Sequence, residues 1–237
     1  ERWAGAAVRR VLTSGTERLA LLADGFKAVS VAEGAAHAAI GARLAAYRFD
    51  KYRTKLKPEQ RPSLIEVLIA AEGPAAAQSR YEAEAAVVDG VMFARDLVNE
   101  PPNVLHPEEF AFRIKSLEAL GVEVEILGED QMKRLGMNAL LGVGLGSARQ
   151  SQLAVMTWRG AKNKAAQPIA LVGKGVTFDT GGISLKPGPN MDEMKGDMGG
   201  AAAVVGAMRA LAARRAKANV VGLVGLVENM PDGAAQR

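Results

Sequence analysis

Hydrophobic and polar positions in the second half of the chain repeat with the periods of alternating strands and helices. The segment from Val122 to Ile126 alternates apolar residues with glutamates, which predicts a half-exposed strand. Apolar runs predict three more strands, at residues 153–158, 169–172 and 220–227, and we expect the run at 169–172 to be buried on both faces. Apolar residues at helical spacing after Pro107 and around Met208 predict helices that alternate with these strands. This alternation predicts an α/β fold with a mostly parallel sheet covered on both faces.

The first part of the chain shows shorter and less regular patterns. Alanine-rich stretches predict helices at 3–12 and 31–47, and short apolar runs predict strands at 19–23 and 64–70. Apolar residues at helical spacing predict a further helix from Tyr81 to Val98, which the prolines at 101 and 102 end. We therefore expect a partial N-terminal α/β domain (residues 1–80), a linker helix (81–98) and a larger domain, itself incomplete (99–237).

Composition and charge narrow the class of protein. The 237 residues include no cysteine, which excludes disulfides, thiol nucleophiles and cysteine-ligated zinc. The net charge of +4 comes from scattered side chains and not from a basic block, so it supports nucleic acid binding only weakly, and we do not expect nucleic acid as a partner. No apolar run is long enough to cross a bilayer, and no signal peptide is present, so we expect a cytoplasmic protein without membrane attachment. The first residue is Glu1 and the last residues form a turn-like stretch, so we expect both ends to be cut from a longer protein.

The chemistry concentrates in a glycine-rich, charged segment after the predicted strand at 169–172. We expect Lys174 at the end of that strand, Asp179 and Lys186 in the loop that follows, and Asp197 where the next helix begins. Carboxylates that lie close together need a cation between them, so the two aspartates are candidate ligands of a divalent ion. A lysine binds a metal only as the neutral amine, and a charged lysine can instead stabilise negative charge on a carbonyl oxygen.

Two nucleotide-binding alternatives have weaker support. Gly173 and Lys174 are followed by Gly175, whereas a phosphate-binding loop requires serine or threonine there and an upstream glycine at fixed spacing. The run from Gly142 to Ser147 resembles a dinucleotide fingerprint, but it follows no clear strand, and we interpret it as a turn.

Four segments resemble the leucyl (cytosol) aminopeptidase family. The longest are Val172-Gly-Lys-Gly-Val-Thr-Phe-Asp-Thr-Gly-Gly-Ile-Ser-Leu-Lys-Pro187 and Met191-Asp-Glu-Met-Lys-Gly-Asp-Met198. Asp96-Leu-Val-Asn-Glu-Pro-Pro-Asn103 and the block from Val227 to Arg237 are similar to further family segments. The resemblance runs from about Arg95 to the end, and before Tyr81 only the layout agrees.

The resemblance implies a two-metal hydrolase that removes leucine-like residues from peptide N-termini. Residue by residue, it implies that Lys174, Asp179 and Asp197 are metal ligands, with Asp179 touching both ions. Lys186 would polarise the scissile carbonyl, and Met194 would line the pocket for the N-terminal side chain. The implied cofactors are two divalent ions, Mn²⁺ or Zn²⁺, with bicarbonate in the full-length enzyme. His106 is interpreted as a residue at the start of a helix and His37 as a surface or packing residue, because the family does not hold its metals with histidine.

The resemblance also implies an architecture, and the sequence departs from the family at one point. A macro-like N-terminal domain, a zinc-exopeptidase-like catalytic domain and a homohexamer are expected of the family. Its remaining ligands and a catalytic arginine lie in an Asn-Thr-Asp-Ala-Glu-Gly-Arg motif that these 237 residues do not contain. We therefore expect this polypeptide alone to be an inactive fragment of an aminopeptidase. The alternative is a non-catalytic truncated paralogue that acts as a scaffold or as a DNA-binding architectural protein, and nucleotide binding rests on glycine runs alone.

Overall fold

The computed structural model describes residues 1–24 and 29–237, and these residues form two compact units. The first unit comprises Glu1–Val88 and the second Asp89–Arg237. The boundary falls inside one long helix, α3, which runs from Pro74 to Asn99. No helix among the described residues is both long enough and apolar enough to cross a membrane.

The first unit packs helices against a two-stranded parallel sheet. Its elements are α1 (Arg2–Val11), β1 (Arg18–Leu22), α2 (Val31–Ala45) and β2 (Glu66–Ala70), followed by the first turns of α3. β1 and β2 pair in parallel, and Ala4, Leu21 and Ala38 form the buried centre of the unit. These elements confirm the predicted helices and strands to within a few residues. The helix predicted from Tyr81 begins seven residues earlier, because a proline is well tolerated in the first turn, where its missing N–H costs no hydrogen bond.

The second unit is built on a four-stranded sheet with the order β3-β4-β6-β5. Its strands are β3 (Glu123–Leu127), β4 (Gln152–Arg159), β5 (Ile169–Asp179) and β6 (Asn219–Asn229). Its helices, besides the end of α3, are α4 (Pro107–Lys115), α5 (Glu129–Arg134), α6 (Asn138–Gly144) and α7 (Gly199–Ala213). This unit also contains 3₁₀ turns at 116–120 and 191–198, and the first unit contains one at 58–60.

The α/β class is confirmed, but the strands of this chain form a mixed sheet. β5 and β6 are parallel and are joined through α7, whereas β4 is antiparallel to both β3 and β6. The sequence pattern could not distinguish these arrangements, because short helices precede β4 just as a longer one precedes β6. The prediction of parallel strands is confirmed for β5 and β6, and β5 carries the candidate residues.

Helices cover both faces of this sheet. Ala154 and Met156 on β4 join the larger core with residues of α4 and α7, while Leu153 and Val155 join a smaller cluster with α5 and α6. Such alternation along one strand places the two clusters on opposite faces. α3 and α7 approach closely at Gly90 and Gly206, where an added Cβ on either glycine would lie within 2.6 Å of the other's carbonyl oxygen.

Two expectations for individual segments were wrong. The strand predicted at 169–172 extends to Asp179 and is not buried on both faces, since Ile169 is 62% and Val172 is 77% exposed. β5 is an edge strand of the described sheet, and α7 packs against one of its faces. The run from Gly142 to Ser147, interpreted as a turn, is helical as far as Gly144, and only its last residues form a turn.

Candidate active site

The candidate residues lie on the second half of β5 and in the segments that follow it, beside β6. In the parallel register, Lys174 pairs with Gly225 and Asp179 pairs with Asn229, the last residue of β6. Lys174 is therefore within the strand and Asp179 is its final residue, whereas the sequence predicted the end of a shorter strand and a loop. The carboxyl ends of parallel strands are where α/β proteins place their binding sites.

A β-bulge determines which face of the sheet Asp179 occupies. Side chains alternate along a regular strand, so residues five apart would point to opposite faces. The register shifts between Val176, which pairs with Val227, and Phe178, which pairs with Glu228, so Thr177 is an extra residue. The extra residue restores Asp179 to the face occupied by Lys174. Thr177 is buried, and its hydroxyl donates to the Val227 carbonyl at 3.2 Å.

Asp179 and Lys186 form one ion pair of the site. Lys186 Nζ donates to Asp179 Oδ2 at 2.5 Å and to the Asp179 backbone carbonyl at 3.0 Å. The other carboxylate oxygen, Oδ1, accepts from the Gly181 N–H at 3.0 Å and from the Asn229 side-chain amide at 2.7 Å. Burial alone raises the pKa of Asp179, but hydrogen bonds from Lys186, Gly181 and Asn229 and the charge of Lys186 outweigh it and hold the pKa below its ordinary value.

The loop after β5 folds back because glycines occupy two left-handed positions. Gly181 has φ +91° and Gly182 has φ +65°, conformations that residues with a Cβ adopt rarely. An added Cβ would lie 2.4 Å from the Ser184 carbonyl at Gly181 and 2.6 Å from Asn229 Oδ1 at Gly182. The reversed loop returns the chain to β5, and the Lys186 N–H donates to the Thr180 carbonyl at 2.8 Å.

Lys174 and Asp197 form the second ion pair. Asp197 lies in the 3₁₀ turn at 191–198, directly before α7, and its Oδ1 accepts from Lys174 Nζ at 2.5 Å. The start of α7 can approach β5 this closely because position 173 has no side chain. A Cβ on Gly173 would lie 2.6 Å from the Gly200 carbonyl oxygen and 2.7 Å from the Ala201 Cα.

Asp197 carries an oxygen whose bonding capacity is not used. Its Oδ2 is buried, and among the residues that the structure describes no hydrogen-bond partner reaches it. An unpaired buried carboxylate oxygen is costly, so it indicates a site for a cation or another donor. The donor set here, two carboxylates and a lysine, suits a hard or borderline divalent ion. Across residues 1–24 and 29–237 no group of three or more His, Asp or Glu side chains is arranged to hold a metal.

The other residues that the sequence analysis named are Met194, His106 and His37, and they lie outside the two ion pairs. Met194 lies in the 3₁₀ turn at 191–198 and is half-buried. His106 is the N-cap of α4 and accepts from the Glu109 N–H at 3.4 Å, which confirms its interpretation as a residue at a helix start. His37 forms a contact of 3.0 Å with Glu1 Oε1, as expected of a residue near the surface.

Sequence reasoning missed Thr177 and Asn229. Both lie inside segments that resemble the aminopeptidase family, but neither position carries chemistry that a motif would single out. Their roles depend on the strand register, which places the bulge at Thr177 and the amide of Asn229 beside Asp179. The available signal was the odd spacing between Lys174 and Asp179, which requires an irregular strand if both side chains serve one site.

Comparison with known proteins defines the class of this α/β fold. Structures of two related enzymes superpose on nearly the whole chain. They are a cytosol aminopeptidase from Coxiella burnetii (TM-score 0.79, 27% identity, 100% of this chain and 47% of that one) and the bottromycin maturation enzyme BotP in complex with Mn (TM-score 0.77, 39% identity, 99% and 48%). The fold is that of the aminopeptidases, represented here by about half of their length.

Sequence comparison identifies the family. The model of the cytosol aminopeptidase family's catalytic domain matches residues 92–237, and that of its N-terminal domain matches residues 1–56. A probable cytosol aminopeptidase from Caulobacter vibrioides is 62% identical over 234 residues, which are 99% of this chain and 46% of that protein. The chain belongs to the cytosol aminopeptidase family, and it spans about half the length of the curated relatives it matches.

Proposed function

We propose that these residues form one part of the active site of a metal-dependent aminopeptidase that releases leucine-like residues from peptide N-termini. The observation that carries the proposal is the presence of two lysine–carboxylate pairs based on β5, with Asp197 Oδ2 buried and without a hydrogen-bond partner among the described residues. The resemblance of these segments to the family implies, residue by residue, these roles. We propose the division into residues 1–80, the linker helix 81–98 and part of the catalytic domain at 99–237.

Asp179, Asp197 and Lys174 are the proposed metal ligands. Asp197 offers its unpartnered Oδ2, and Asp179 offers Oδ2, which only Lys186 contacts among the described hydrogen bonds. Lys174 donates to Asp197 here, so to coordinate an ion its amine must give up a proton and that ion pair. Two divalent ions, Mn²⁺ or Zn²⁺, are the proposed cofactors, and the Mn in the related BotP structure favours Mn²⁺. When bound, such ions supply Lewis acidity and lower the pKa of the attacking water.

Lys186 and Met194 are assigned roles towards the substrate. Hydrolysis adds water across the peptide bond: the C–N bond breaks, and the leaving amine takes a proton. Negative charge develops on the carbonyl oxygen, and a fixed ammonium group stabilises it more in the transition state than in the substrate. Lys186 is held for this role by Asp179, which contacts it through both the carboxylate and the backbone carbonyl. Met194 is proposed to line the pocket for the N-terminal side chain.

A polypeptide limited to these 237 residues is proposed to be inactive. Two aspartates and one lysine cannot complete the coordination of two ions, and the Asn-Thr-Asp-Ala-Glu-Gly-Arg motif that completes the family site is not in this sequence. The full-length protein is proposed to act as a cytoplasmic homohexamer on peptide substrates, with bicarbonate at the arginine of that motif. Neither a membrane nor nucleic acid is part of the proposal.

The test compares lysine variants of the full gene product in a leucine p-nitroanilide assay with added Mn²⁺. We expect Lys186→Ala to lower kcat by about 100- to 1000-fold, the loss typical of one group that stabilises the developing oxyanion. Lys195→Ala is the matched control, because Lys195 lies in the same segment and its contact is the Asn99 carbonyl at 3.4 Å. Wild-type kcat in the Lys186 variant would contradict the role of this lysine. A wild-type gene product without metal-dependent activity would instead favour the non-catalytic alternative.

A further inference from the structure

We infer that Asn229 is a positioning residue for Asp179, fixing the carboxylate so that Oδ1 is held by the protein and Oδ2 faces the cation. The inference rests on the proposed function, because it assigns a partner to one of the proposed metal ligands. It concerns a side chain that would itself touch neither metal nor substrate.

The contact between the two residues follows from the strand register. Asp179 and Asn229 are the last residues of neighbouring parallel strands and are paired in the ladder. The Asn229 amide nitrogen lies 2.7 Å from Asp179 Oδ1. A carboxylate can only accept, so the NH₂ end of the asparagine must face it. An aspartate at position 229 would place a second negative charge there, whereas asparagine donates without adding charge.

Asn229 is itself held on several sides, which gives its amide a fixed direction. Its backbone carbonyl accepts from the Thr180 N–H at 2.9 Å and from the Thr180 hydroxyl at 2.8 Å. Its side-chain oxygen lies 2.6 Å from the position of a Cβ on Gly182, so glycine at that position is what lets the loop pass. Glu228, the residue before it, is fully buried and is bound by Ser147 at 2.6 Å and by Arg237 at 2.8 Å.

The two carboxylate oxygens of Asp179 therefore have different roles. Oδ1 accepts two N–H bonds, from Asn229 and Gly181, and these directed bonds fix the rotation of the carboxylate. Oδ2 accepts from Lys186 Nζ and is the oxygen proposed to face a cation. Partners that orient a ligand in this way affect metal affinity by about 10- to 100-fold when they are removed.

The same strand provides a matched control. Asn219, the first residue of β6, also uses its side-chain amide, which donates to the carbonyls of Asn163, Lys164 and Ala166. It lies ten positions before Asn229 in the same strand, roughly 33 Å away along the strand. Loss of the Asn219 amide removes at least as many hydrogen bonds as loss of the Asn229 amide, but these bonds lie far from Asp179.

The experiment measures Mn²⁺ affinity of the full gene product by titration with electron paramagnetic resonance detection. We expect Asn229→Ala to raise the Kd by about 10- to 100-fold. Asn219→Ala should leave the Kd within a factor of about two while it lowers the stability of the metal-free protein. Circular dichroism checks that each variant is folded, and Asn229→Ser, whose hydroxyl is too short to replace the amide, serves if Asn229→Ala does not fold.

Asp179→Asn separates failure of this inference from failure of the proposed function. If Asp179→Asn weakens Mn²⁺ binding and both Asn229 variants bind as the wild type does, the positioning role is overturned and the ligand assignment stands. If Asn219→Ala weakens binding as much as Asn229→Ala, the effect is general and the positioning role is again overturned. If Asp179→Asn binds Mn²⁺ as tightly as the wild type, or the wild type binds none, the proposed function and this inference both fail.

Discussion

Replacing Gly173 by alanine should separate β5 from α7 and thereby disturb the metal site. The new Cβ would lie 2.6 Å from the Gly200 carbonyl oxygen and 2.7 Å from the Ala201 Cα, whereas ordinary contact begins at 3.4 Å. The obstructing atoms are backbone, so a rotamer change cannot relieve the clash, and the start of α7 has to move by about 0.8 Å or more. Asp197 lies three residues before Gly200, so the movement also changes its distance from Lys174.

Two opposing effects determine how much Gly173→Ala changes the free energy of unfolding. Overpacking of this kind costs about 1–3 kcal/mol. Alanine also restricts the unfolded chain, which stabilises the protein by about 0.4–1 kcal/mol where the native conformation is allowed. Overpacking is the larger effect, so we expect a net decrease in the free energy of unfolding of about 0.5–2 kcal/mol, together with weaker Mn²⁺ binding.

Urea denaturation of the full gene product measures the stability change, and Mn²⁺ titration measures the effect on the site. Gly199→Ala is the control, because Gly199 begins α7 in a right-handed helical conformation and a Cβ there meets no atom within 4 Å. The control should be neutral or slightly stabilising, since alanine favours a helix over glycine. Equal or greater stability of Gly173→Ala relative to the wild type would refute the close-packing argument.

Three further outcomes follow from other contacts. Deletion of Thr177 should remove the bulge but leave Lys174 and Asp179 four residues apart on one face of a regular strand, so Mn²⁺-dependent hydrolysis of leucine p-nitroanilide should persist; loss of activity in a folded variant would contradict the register argument. Arg237→Gln should destabilise the protein by about 3–5 kcal/mol in urea denaturation, because it leaves the buried Glu228 carboxylate without its cation, and a loss below 1 kcal/mol would contradict this. Gly206→Ala should lower the thermal midpoint, because its Cβ would lie 2.6 Å from the Gly90 carbonyl; an unchanged midpoint would show that α3 and α7 can separate freely.

The sequence allowed the α/β class and most elements of the second unit to be predicted, because burial imposes a clear period on them. The alternation from Val122 to Ile126 corresponds to β3, and the apolar run at 220–227 lies within β6, one of the two inner strands of the sheet. The length of β5 was missed for a physical reason. Gly173, Lys174 and Gly175 are atypical of a strand. A Cβ at position 173 would meet the backbone of α7, and a Cβ at position 175 would meet the Gly225 carbonyl and the Leu226 side chain, so glycine occurs at both.

The residues of the candidate site could be predicted from the sequence, but the contacts between them could not, because those contacts depend on the strand register. Lys174, Asp179, Lys186 and Asp197 stood out in the sequence because charged residues among glycines suggest a site. Their pairing, Lys174 with Asp197 and Lys186 with Asp179, depends on the bulge and on the reversed loop at Gly181. Asn229 lies fifty residues from Asp179 in the chain, so its contact becomes visible only when the two strands are placed side by side.

The most direct test of the central claim is anomalous X-ray diffraction from crystals of the full gene product grown with Mn²⁺. We predict manganese peaks bonded to the Asp179 and Asp197 carboxylates, with the Lys174 amine turned from Asp197 towards an ion and Asn229 still bound to Asp179 Oδ1. Manganese bound elsewhere, with both lysine–carboxylate pairs intact, would contradict the assignment of these residues as the metal site.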